Sequence, residues 1–202
     1  MFRFTARALI AGAIGALALA SAVLAAPPTP EDLNPPPPDF LTCKSLGAGT
    51  ICTGSFQEVK VAEPQPELVC GSGAGAFIIH DNATLNARVT RWYNADGDLT
   101  KRLIRERWKP AFWSNPLSGK TVPYTQTANI TTVLAVPGDF GSATETIVGE
   151  NIYTDPVTHE KVLRTAGRVV FGADETLEFR AGQQPFLDGD MSVFDAVCAA
   201  LA

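Results

Sequence analysis

Apolar and polar residues alternate along most of this chain with the period of two that a half-buried strand requires. Residues 84–94 alternate most clearly, and residues 99–108 answer them across Asp96-Gly97, a favoured two-residue hairpin turn. With those two at the centre of the turn, Ala95 faces Asp98, Val89 faces Ile104 and Leu85 faces Trp108. The apolar positions then meet on one face, and Arg88 opposes Arg105 on the other. Beyond a turn at Asn115-Pro116-Leu117-Ser118-Gly119-Lys120 lies a Thr- and Val-rich stretch, 121–136, poor in helix formers. Pro137-Gly138-Asp139-Phe140-Gly141 breaks it, and two further strands are expected at 143–153 and 161–171.

A last hairpin follows. Leu163, Gly167, Val169 and Phe171 share one face of the first strand, and Leu177, Phe179 and Ala181 one face of the second. A three-residue loop, Ala173-Asp174-Glu175, sets Phe171 against Leu177, Val169 against Phe179 and Gly167 against Ala181. Residues 191–202 are the one convincing helix, with Ser192 as its cap and Phe194, Val197, Cys198 and Leu201 along one stripe. Residues 41–61 read as a small hairpin with a strand over 55–61, set off from the main body by Glu63-Pro64-Gln65-Pro66-Glu67. Six to eight antiparallel strands with short connections must cover their edges, and an up-and-down β-barrel with a C-terminal helix does so most simply. A two-sheet β-sandwich is the alternative.

The start of the chain breaks this pattern. Arg3 and Arg7 lead into an apolar run over 8–24 that ends in small residues, the form of a signal peptide cut between Ala25 and Ala26. The organisation expected is a signal peptide over 1–25, a Pro-rich flexible segment over 26–40 and one β domain over 41–202. The mature protein is then secreted and has no stable membrane insertion. Removing Arg3 and Arg7 from 16 basic residues leaves 14 against 21 acidic ones, a net −7. That acidic balance excludes the positive field that nucleic-acid binding needs.

Four Cys, an even number in an oxidising compartment, make two disulfides. Cys43–Cys52 is favoured, because two glycines let the intervening segment turn back on itself. Cys70–Cys198 remains, joining the start of the main domain to the C-terminal helix. No close Cys or His pairs are present to ligate a metal, and no cofactor is implied.

Conventional catalytic chemistry is absent. His80 and His159 have no partner at ligand spacing, and there is no Gly-x-Ser-x-Gly elbow or His-Glu-x-x-His helix. Asp188-Gly189-Asp190 lacks the spacing of a calcium loop. Glu145 and Glu150 fall on opposite faces of one strand, so they form no acid–base pair. The aromatic residues are more suggestive. Trp108 and Trp113, with Trp92 and Tyr93 on the preceding strand, either plug a barrel end or line an apolar cavity, with Arg91 and Arg102 as polar anchors. The expectation is a non-enzymatic protein that holds a small apolar or amphipathic ligand. The alternatives are a barrel-type cyclase- or isomerase-like enzyme, and an extracellular structural or surface-interaction protein.

Several turn and cysteine motifs carry a resemblance. They are Cys43, Gly49-Thr50-Ile51-Cys52-Thr53-Gly54, Cys70-Gly71, Arg91-Trp92-Tyr93-Asn94-Ala95-Asp96-Gly97, Ser114-Asn115-Pro116-Leu117-Ser118-Gly119-Lys120, Gly182-Gln183-Gln184-Pro185-Phe186 and Cys198-Ala199-Ala200-Leu201. From about residue 41 to the end, the chain resembles small secreted actinobacterial proteins of uncharacterised function. The resemblance implies a secreted single-domain protein and assigns no role to any residue.

Overall fold

The computed structural model describes residues 29–47, 49–184 and 193–202. The expected signal peptide, the calcium-loop candidate at Asp188-Gly189-Asp190 and the Ser192 cap lie outside the described residues. Among the described residues, eight strands form a single antiparallel sheet in sequence order: β1 Leu41–Leu46, β2 Gly49–Cys70, β3 Phe77–Tyr93, β4 Leu99–Ser114, β5 Thr121–Leu134, β6 Ala143–Thr154, β7 Lys161–Phe171 and β8 Leu177–Gln183. One helix, α1 Val193–Leu201, follows. No described helix is long and apolar enough to cross a membrane.

The sheet does not close, so the barrel expected from the meander is corrected to an open sheet. The sandwich alternative fails as well, since all eight strands share one sheet. Among the described residues, every strand pairs only with its sequence neighbours, and β1 and β8 do not pair with each other. The terminal strands are too short to seal the edges. β1 covers only Gly49–Gly54 of β2, and β8 covers only Ala166–Phe171 of β7. β8 is exposed along its whole length, including Leu177 and Phe179. The long free flank of β2 is blunted instead of paired. It carries Pro64 and Pro66, and its register with β3 shifts twice, between Lys60 and Glu63 and between Gln65 and Val69. Proline and bulges are ordinary defences of an edge strand. The stretch 63–67 is therefore part of β2 and not a spacer.

The β3–β4 register is as the alternation requires, with Val89 opposite Ile104, Leu85 opposite Trp108 and Arg88 opposite Arg105. The turn differs, where the register slips by one residue between Trp92 and Tyr93 and Asn94 Oδ1 accepts from the Asp96 and Asp98 amides, and a second slip falls between Ala83 and Leu85. The last hairpin keeps Phe171 opposite Leu177 but then shifts. An extra residue in β8, Glu178, moves Phe179 opposite Val170, Arg180 opposite Val169 and Gly182 opposite Gly167.

Both expected disulfides are present. Cys43 and Cys52 face each other across β1–β2 with Cα atoms 3.9 Å apart, and Cys70 joins Cys198 of α1 at 5.3 Å. One face of the sheet, the core face, carries two apolar clusters. Under α1 lie Ile79, Trp113, Val122, Tyr124, Tyr153 and Leu163 with Phe194, Val197 and Leu201. At the other end, Leu33 packs with Leu41, Cys52, Val89, Tyr93, Leu99 and Leu134. The Pro-rich segment reaches this second cluster: the Leu99 amide donates to the Asn34 carbonyl at 2.8 Å, and Tyr93 Oη donates to the Pro35 carbonyl at 3.0 Å.

Candidate functional site

Between the two clusters the register aligns core-face residues of β3 to β7 into rows. One row is charged and polar: Arg91, Arg102, Thr132 and Glu145, ending in Phe171. The next is apolar: Val89, Ile104, Ile130, Ile147 and Val169. A third is small apart from Glu106: Ala87, Ala128, Gly149 and Gly167. The fourth holds Leu85, Trp108, Gln126, Asn151 and Thr165. Period-two alternation on five neighbouring strands is what produces this layering.

Arg102 centres the charged row. Its Nη2 donates to Thr132 Oγ1 at 3.0 Å and lies 3.4 Å from Glu145 Oε2, while Thr132 Oγ1 donates to the same carboxylate at 3.2 Å. The guanidinium also stacks over Phe140, 5.2 Å from its ring centre. Burial pushes the Arg102 pKa below its ordinary value; Glu145 opposes that shift and the neighbouring Arg91 charge adds to it. Among the described residues, Arg91 donates to neutral oxygens, the Pro36 carbonyl at 3.2 Å and Tyr93 Oη at 3.3 Å. The Nε atoms of both arginines are buried and unpartnered. The row thus holds two guanidiniums and one carboxylate, and of the two cations only Arg102 reaches Glu145. A cavity of about 440 Å³ opens on Arg102, walled by Thr132, Phe140, Ala143, Glu145, Phe171 and Glu175.

The six residues expected to form the ligand site do not come together. Arg91 and Arg102 are direct cross-strand neighbours. Trp108 sits three rows away under the Lys60 ammonium, with its Nε1 3.4 Å from Glu106 Oε2. Trp92 lies on the opposite face, beneath Lys101. Tyr93 is buried against the Pro-rich segment, and Trp113 is buried under α1.

One buried polar group was not singled out from sequence. Asp81, 7 % exposed, accepts from Tyr124 Oη at 2.8 Å beneath α1, and Lys60 Nζ stands 3.9 Å away. Burial raises the Asp81 pKa, against the Tyr124 hydrogen bond and Lys60, which lower it; Glu63 acts with burial. Burial likewise raises the hydroxyl pKa of Tyr124, helped by Asp81, and that of Tyr153. Asp81 continues the in-phase series Phe77, Ile79, Ala83, so a charged residue at a core position was the available signal.

A carboxyl with a raised pKa holds its proton in the folded state at pH values where the unfolded chain has released it. Its contribution therefore favours folding at low pH and declines as pH rises through the window from the ordinary carboxylate value to the raised one. The wild type is expected to lose stability relative to Asp81→Asn across that window. Urea midpoints measured from about pH 4 to 7 check this. A stability difference that stays constant with pH would show that Asp81 titrates alike folded and unfolded.

Comparison of the chain with protein-family models, with curated proteins and with solved structures gives no match. Among the described residues, no group of three or more His, Cys, Asp or Glu side chains is placed to hold a metal ion.

Proposed function

We propose that this is an exported, non-enzymatic binding protein that holds a small amphipathic molecule on the core face of the sheet, with a carboxylate head at Arg102. The observation that carries the reading is the cavity of about 440 Å³ that Arg102 lines together with apolar walls from Phe140, Ala143 and Phe171. A concave, partly apolar site with a few convergent polar groups is the usual form of a small-molecule pocket. The acid head rests on Arg102, the one cation among the residues lining the cavity, with Arg91 beside it in the row adding positive charge against the Glu145 and Glu175 carboxylates. Export rests on the charged and apolar pattern of residues 1–25.

Dodecanoate is the probe. Calorimetric titration is expected to give micromolar affinity, weakened about tenfold or more in Arg102→Leu, since a charge-assisted hydrogen bond in a desolvated site contributes roughly 1.5–3 kcal/mol. Absence of binding to the wild type would overturn the proposal, and so would equal affinity for a folded Arg102→Leu. The carboxylate of Glu145 in the same cavity supports a second reading, a cyclase- or isomerase-like enzyme that works by enclosing its substrate. Conversion of a bound ligand, followed by mass spectrometry and lost in Glu145→Gln, would favour it.

A further inference from the structure

A second cavity lies farther along β6 and β7. It measures about 100 Å³ and is lined by Gln126, Asn151, Thr165 and Gln184, with Ile147 and Val169 on the side toward Arg102. Its polar walls come from three carboxamides, two threonines and Glu150, whose carboxylate accepts from Arg164 Nε at 2.6 Å, and Asn151 Oδ1 is buried with no hydrogen-bond partner. An orphaned buried acceptor costs free energy unless something donates to it.

The two cavities are aligned. Glu145 and Phe171 line the larger one; Ile147 and Val169, one position inward on the same face of the same strands, line the smaller. The Gly149–Gly167 pair follows, where no side chain rises from either strand. Asn151 lies six positions after Glu145 on β6, about 20 Å at roughly 3.3 Å per residue. The sequence of surroundings is thus charged, apolar, bare backbone, then amide.

We propose that these cavities form one trough that selects an acid carrying a second polar group, a hydroxyl, at the far end of its chain. This rests on the carboxylate site at Arg102 and adds a second recognition point. The terminal hydroxyl donates to Asn151 Oδ1 and can accept from Gln126 or Gln184, while Ile147 and Val169 flank the methylenes. Neutral amides suit a hydroxyl, which both donates and accepts; a second carboxylate would leave the Asn151 oxygen unpaired.

The test compares two probes, dodecanoate and ω-hydroxydodecanoate, on the full mature chain by calorimetry. The wild type is expected to bind the hydroxy acid about tenfold more tightly. In Asn151→Leu, and separately in Gln126→Leu, that ratio is expected to fall toward one, and the ratio is read only for variants whose circular dichroism matches the wild type. If dodecanoate binds and the hydroxyl gives no advantage, the two-ended trough is overturned and the carboxylate site stands. If the preference persists in both variants, the hydroxyl is read elsewhere and the inference is likewise overturned. If neither probe binds, the binding reading itself falls.

Discussion

Replacing Cys198 by alanine is expected to destabilise the protein by about 5 kcal/mol, roughly twice the loss from Cys43→Ala. Both bridges restrict the unfolded chain, but they close very different loops. The Cys70–Cys198 separation is 128 residues and the Cys43–Cys52 separation is 9. Loop-closure entropy grows only with the logarithm of length, giving about 5 kcal/mol for the larger loop and about 2.5 for the smaller. The larger bridge has a second effect. It ties α1, nine residues long, to the end of β2. A helix that short has little stability of its own and depends on being held against the sheet. The two cysteines of the smaller bridge are already held opposite each other by the β1–β2 register. Guanidinium unfolding of the two variants checks the ordering. Equal losses, or a greater loss for Cys43→Ala, would sink it.

What the residue pattern revealed, and what it hid, follows from how far each feature reaches along the chain. Asp96-Gly97 marks a local turn, and unbroken alternation on either side carries the register through to Leu85 and Trp108. The final hairpin looked equally regular, yet the inserted Glu178 displaces every pair beyond Leu177. A one-residue bulge reverses the facing of the residues beyond it, yet Leu177 and Phe179 keep the same spacing in the sequence whether or not it is there. Closure of the sheet depends on whether β1 and β8 meet, and strands at opposite ends of the chain share no local pattern. The alternation of Leu177 and Phe179 suggested burial that the open edge does not provide.

The site residues divide in the same way. Arg91 and Arg102 meet because they belong to the well-marked hairpin. Trp92 was grouped with Trp108 and Trp113 by aromatic character, although its place between Arg91 and Tyr93 assigns it to the other face. Trp108 and Trp113, five positions apart, would fall on opposite faces of a regular strand. A register shift between Trp108 and Phe112 returns Trp113 to the core face, at the segment holding the cis Lys109–Pro110 bond. Pro110 was the visible mark of that irregularity. The cavities depend on how rows from four strands, β4 to β7, align, so Asn151, Gln126 and Thr165 gave no signal in a linear reading.

Trp113→Ala is expected to cost about 3–5 kcal/mol, the usual range for deleting a buried large aromatic side chain. Trp113 is the hub of the end that α1 covers. Its ring lies 4.5 Å from Tyr153, 5.9 Å from Tyr124 and 5.8 Å from Phe194, centre to centre, and only the Phe194 ring lies nearly parallel to it. Phe194 belongs to α1, so this stack attaches the helix to the sheet alongside the Cys70–Cys198 bridge. The small residues nearby, Ala83 and Ala111, offer little side-chain volume to fill the resulting cavity. The loss should therefore appear first as loosening of α1. Hydrogen exchange of the 197–201 amides is expected to speed up more than that of the β3–β4 pairs around Val89 and Ile104, which belong to the far half of the sheet. Trp113→Ala and Phe194→Ala together should cost less than the sum of the two, because each removes the partner of the other. A strictly additive pair, or a Trp113→Ala loss below about 1 kcal/mol, would mean that the disulfide, Val197, Leu201 and the Asn115 and Ser118 hydrogen bonds to the Leu201 carbonyl hold the helix without this stack.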